Sequence, residues 1–94
     1  MSELGKLRAQ INRIDQKIVS HLEKRFSLAL RTLNYKKAVR DVRRERKLLR
    51  DLRVKIKNPQ FEPFVSKIYG EIMKQSVKSQ RMYVDKIKKR KRKR

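Results

Sequence analysis

The sequence predicts an all-α fold of three helices, one long and two shorter, forming an intertwined homodimer. Three observations carry that expectation. Apolar residues at Leu4, Leu7, Ile11, Ile14, Ile18, Leu22, Phe26, Ala29 and Leu33 step by threes and fours without a break, the spacing of one helical face. Neither Pro nor Gly interrupts the chain from Lys6 to Asn58. No β signal appears: there are 2 glycines, no hairpin-turn dipeptide and no sustained alternation of apolar and polar residues.

The first helix runs for about thirty residues, or about 50 Å. Ser2 and Glu3 suit its start, one as a capping hydroxyl and the other as a negative charge near the dipole's positive end. A compact chain of 94 residues has a radius of gyration of only about 12 Å. A helix that long outruns the cover its own chain can give it, so its apolar stripe calls for a second subunit. The second helix fits Asp41 to Ile56, with Val42, Leu49, Leu52 and Ile56 inward. Asn58-Pro59 ends it, because proline lacks the N–H and disfavours helix at the residue before it. Pro63 suits the first turn of a third helix, whose stripe is Phe64, Ile68, Ile72, Val77 and Tyr83.

Charge divides the chain differently. Thirty basic residues stand against 9 acidic ones, for a net +21. Residues 86–94 hold eight Lys or Arg, so the remainder keeps 22 against 9 and is itself at +13. We therefore separate a helical domain, residues 1–85, from a polybasic tail, residues 86–94. A like-charged run of this kind is a solvated tail or a frayed helical extension, open to non-specific polyanion binding. The chain has no cysteine, which excludes disulfides, thiol nucleophiles and thiolate metal sites. A single histidine, His21, excludes the usual zinc and triad chemistries. With no signal-like or bilayer-length apolar run, the expectation is a soluble cytoplasmic protein. Its partner is then either a polyanion or a small dianion held in a pocket.

Several polar residues fall into register. Asp41, Arg44 and Glu45, at i, i+3 and i+4, emerge within one turn of one face. Arg25 and Lys36, eleven apart or about three turns, share a face of the first helix. Ser76 and Gln80 are i and i+4 on the third. Arg8 points elsewhere, seventeen residues before Arg25, and reaches the same site only from a second subunit.

Four stretches in order then resemble the all-α, dimeric class of chorismate mutases, over Leu4 to Gln80. Leu7-Arg8-Ala-Gln-Ile-Asn-Arg-Ile-Asp15-Gln-Lys-Ile resembles that family's opening L-R-x-x-I-x-x-I-D-x-x-I. Leu22-Glu-Lys-Arg25-Phe with Lys36 follows at the family's spacing. Val39-Arg-Asp-Val-Arg-Arg-Glu-Arg46 resembles the second-helix motif, and Ile72-Met-Lys-Gln-Ser76-Val-Lys-Ser-Gln80 the third. The resemblance implies roles. Arg25 and the partner subunit's Arg8 would clamp the two carboxylates of chorismate. Lys36 and Gln80 would bond the ether oxygen of the breaking bond from opposite sides. Glu45 would accept the ring hydroxyl, and Asp41, Arg44 and Ser76 would line the pocket. One departure stands out: only Lys37-Ala-Val-Arg40 separate Lys36 from Asp41, fewer residues than the family usually has. That connection must be tight or helical, and Lys37 lies close enough to exchange roles with Lys36.

Conversion of chorismate to prephenate is a unimolecular [3,3] rearrangement that needs no nucleophile, metal or cofactor. It needs the substrate held in a reactive conformer, and donors for the charge growing on the ether oxygen. Arg, Lys and Gln supply both. Two other readings remain at this point. An isochorismate pyruvate lyase would share the fold and the dicarboxylate clamp, but Glu45 suits the chorismate hydroxyl. A non-enzymatic nucleic-acid-binding helical module would suit the charge, but the body lacks a recognised motif or an aromatic platform.

Overall fold

The computed structural model describes residues 2–36 and 38–92, with the backbone alone at residue 92. Lys37, the alternative to Lys36, lies outside the described residues, as do Lys93 and Arg94 of the tail. Three helices follow one another: α1 Glu3–Thr32, α2 Val42–Lys55 and α3 Glu62–Arg92, with a 3-10 turn, Pro59–Phe61, before the third. No strand occurs among the described residues, and none of their helices is long and apolar enough to cross a membrane.

α1, α2 and the 3-10 turn each begin where a side chain replaces the missing backbone partner. Ser2 Oγ accepts from the Gly5 N–H at 3.0 Å, opening α1. Asp41 Oδ1 accepts from the Arg44 N–H at 3.1 Å, opening α2. Asn58 Oδ1 accepts from the Gln60 N–H at 3.0 Å, opening the 3-10 turn with Pro59 in its first position. Asp41 therefore caps α2 in extended backbone instead of forming its first helical turn.

Two boundaries differ from the sequence expectation. α1 ends at Thr32, so Lys36 does not share a helical face with Arg25. The last backbone bonds tighten to three-residue spacing, Leu33 N–H to Leu30 O and Asn34 N–H to Arg31 O, both at 3.2 Å. A chain with so few residues before Asp41 must give up its last helical turn to reverse direction. α3 also runs on to 31 residues, as long as α1, through the cationic segment. Lys and Arg are good helix formers, and no Pro or Gly stands beyond Gly70 to stop it.

α3 packs against both α1 and α2, which do not pack against each other. The result is open and flat, 61 × 31 × 16 Å, with a radius of gyration of 17.6 Å. Among the described residues only Met73, Ser76 and Gln80, all on α3, are buried. Leu4, Leu7, Ile11, Ile14 and Ile18 on α1 all stay exposed. So do Val42, Phe64, Ile68 and Tyr83, four positions the sequence pattern turned inward. A single chain offers these side chains nothing to pack on. Leu48, Leu49 and Leu52 of α2, its C-cap Ile56, and Val65, Ile72 and Val77 of α3 are half-buried.

Replacing Asp41 with Ala removes the α2 cap and should lower stability by about 1 kcal/mol. Asp41→Asn keeps an acceptor oxygen and should stay near the parent in urea denaturation.

Candidate active site

A cavity of about 410 Å³ lies where the end of α1, the following connection, the start of α2 and the middle of α3 meet. Helical spacing explains who lines it. Arg25, Ala29 and Thr32 stand at i, i+4 and i+7 on α1. Met73, Ser76, Val77 and Gln80 repeat that pattern on α3, and Asp41, Arg44, Glu45 and Leu48 do so from the cap of α2. Lys36 and Val39 come from the connection. Of the eight residues singled out in the sequence, seven border this one space: Arg25, Lys36, Asp41, Arg44, Glu45, Ser76 and Gln80. Arg8 does not. It is exposed on α1, about 25 Å along the axis from Arg25.

Lys36 reaches the cavity by a route other than a helical face. Its ammonium donates to the Val39 carbonyl at 2.6 Å, a bond that closes the connection on itself and holds the charge at the cavity wall. An ammonium has three donors, so one bond to the backbone leaves others for a ligand. Glu45 accepts from Arg40 Nε at 3.2 Å, and its side chain is 20% exposed against 56% for the arginine. Arg40 was not singled out in the sequence, where nothing marks it among so many cations.

Three cations and two carboxylates line the cavity, but the carboxylates are engaged. Asp41 serves the Arg44 backbone and Glu45 serves Arg40. Arg25, Lys36 and Arg44 form no ion pair among the described residues. The three cations outnumber the two carboxylates, one of which is also paired with Arg40, so the cavity carries a positive balance that suits an anion.

Gln80 is the most buried described residue, 3% exposed. Its Nε2 donates to the Ala29 carbonyl of α1 at 2.7 Å and lies 3.4 Å from Thr32 Oγ1. The end of α1 accounts for this. With the Leu33 N–H turned to Leu30, the Ala29 carbonyl loses its i+4 backbone donor and takes side-chain donors: Gln80, and Thr32 Oγ1 at 2.6 Å. A carbonyl only accepts, so the nitrogen edge of the carboxamide must face α1. The separations 2.7, 3.4 and 2.6 Å put the two α1 oxygens only about 50° apart as seen from Nε2. The two N–H directions of an amide diverge by about 120°, so a single N–H can serve both oxygens and leave the other for a ligand. Ser76, 7% exposed, likewise leaves its hydroxyl without a hydrogen bond among the described residues. Ala29 and Thr32 were legible only in part: both sit on the Arg25 stripe, but their use depends on where α1 stops.

The cavity thus offers fixed cations and neutral donors. Among the described residues no cluster of His, Cys, Asp or Glu could hold a metal. No curated protein and no solved structure matches the chain. A sequence model of the chorismate mutase type II family matches residues 7–81, about four-fifths of the chain, and so takes in every residue of the cavity. The chain belongs to the chorismate mutase type II family, and is an isomerase of that type.

Proposed function

We propose that the protein converts chorismate to prephenate by a [3,3] rearrangement, a step toward phenylalanine and tyrosine, in the cytoplasm. The observation that supports this best is the convergence of Arg25, Lys36, Arg44 and the buried Gln80 on one electropositive cavity. Arg25 holds one carboxylate of the substrate with a planar fork, which also fixes orientation. Lys36 bonds a carboxylate and the ether oxygen, and the spare N–H of Gln80 meets that oxygen from the other side. Both donors strengthen as charge accumulates on the oxygen, so they favour the transition state over the ground state. Glu45, kept in place by Arg40, accepts the ring hydroxyl. Asp41, Arg44 and Ser76 shape the wall.

The same reading makes the protein an intertwined homodimer. The uncovered stripe from Leu4 to Ile18 supports it, as does Met73 being the one buried apolar side chain among the described residues, since a chain that buries so little offsets little of its conformational entropy. The partner subunit's Arg8 then supplies the second carboxylate clamp. Residues 86–94 bind polyanions non-specifically through charge alone.

Gln80→Ala and Lys36→Ala should each lower kcat by roughly 10²–10³-fold, the usual loss of one oxyanion donor. The assay is chorismate absorbance at moderate salt. A parent that makes pyruvate and salicylate from isochorismate, and no prephenate from chorismate, would give the site to a lyase.

Ile14→Asp places a charge in the middle of the uncovered α1 stripe. It should turn a dimer into monomers by sedimentation and abolish prephenate formation with it. A parent that sediments as a monomer while fully active would remove the partner's Arg8 from the mechanism.

A further inference from the structure

α3 carries more cations on one side than its packing needs. Lys67, Lys74, Lys78, Arg81, Lys88 and Lys89 fall at i, i+7, i+11, i+14, i+21 and i+22. Those steps are close to whole turns at 3.6 residues each, so the six lie along one line of the helix over about 33 Å. All six are exposed, and none forms an ion pair among the described residues. They face away from Met73, Ser76 and Gln80, which point into the body. Two acids interrupt the row. Glu71 accepts from Gln75 at its edge, and Asp85 lies within it.

Halfway along, the row meets a second cleft, of about 540 Å³. Arg40 of the connection joins Lys74, Lys78 and Arg81 there, with Glu45 as the one acid. Four cations against one carboxylate make this cleft more positive than the first. Gly70 forms part of its wall, and nothing lies within 4 Å of where a Cβ would stand, so a ligand can come close to the backbone there.

We propose that this face of α3, from Lys67 to Lys89 with Arg40 beside it, binds the phosphodiester backbone of a single-stranded nucleic acid. The binding does not rest on the mutase reading, and it goes beyond the tail because four of the six cations precede residue 86. A straight row of unpaired cations matches a linear array of phosphates, and binding gains from the counterions released. No aromatic side chain stands in the row, so the contacts go to phosphate and carry no base preference. A membrane surface fits less well. The exposed apolar residues of α3, Phe64, Ile68 and Met82, sit about a quarter turn away, on a side that the dimer would cover.

The test is fluorescence anisotropy of labelled oligo-uridine and oligo-thymidine against the full chain between 50 and 300 mM KCl. Three variants accompany it: deletion of residues 86–94, the triple substitution Lys74→Gln, Lys78→Gln and Arg81→Gln, and both together. Deletion alone should weaken binding and leave a salt-dependent remainder. The triple substitution should weaken binding at least tenfold and flatten the salt slope by about 2, at roughly 0.7 per lost phosphate contact. Helical circular dichroism of the triple variant, expected at the parent's level, shows that it is folded. The proposal fails if deletion of residues 86–94 removes all binding, or if the triple variant binds like the parent. It fails equally if one oligonucleotide is strongly preferred, or if anionic vesicles bind and oligonucleotides do not.

Discussion

One buried carboxamide joins the first helix to the third. Among the described residues the side chain of Gln80 makes the only hydrogen bonds between α1 and α3, to the Thr32 hydroxyl and to the Ala29 carbonyl, which the end of α1 leaves without its i+4 donor. An unpaired buried carbonyl or amide costs about 1–3 kcal/mol, so the two groups meet one another's need. The same bond decides how the amide is turned and how many donors it has to spare. Tertiary structure and site chemistry therefore rest on a single contact. A substitution at Gln80 acts on both, and Thr32, which shares the Ala29 carbonyl, stands next to both.

The cavity owes its character to what its carboxylates are doing. Asp41 and Glu45 stand on its wall against three cations, and each has a fixed partner. Asp41 is held by the backbone of α2 and Glu45 by Arg40. An N-cap and a partly exposed ion pair each contribute only about 1 kcal/mol or less to stability. Their larger effect here is on the field inside the cavity.

Much of this was legible in the residues, and for identifiable reasons. The α1 stripe repeats from Leu4 to Leu33, long enough for helical spacing to be unmistakable. Arg44 and Glu45, like Ser76 and Gln80, follow from local helical spacing, which tertiary structure does not disturb, whereas Asp41 joins them from the cap. The end of α1 was less legible. Nothing between Arg31 and Arg40 breaks a helix by composition; the helix yields because the chain must turn before Asp41. Lys36 consequently borders the cavity by a different path from the one its spacing suggested. Val42, Phe64 and Ile68 are apolar at helical positions yet exposed, because periodicity finds an apolar face without saying which molecule covers it.

α3 carries three unlike faces over 31 residues: one to the body, one apolar and uncovered, one cationic. Adding or deleting a single residue would rotate everything beyond it by about 100°. An insertion just after Gln80 would leave the cavity untouched and swing Lys88 and Lys89 off the line of Lys74. Point changes on any one face are local by comparison. The phase of this helix, more than any one of its side chains, is thus the quantity that keeps its tasks apart.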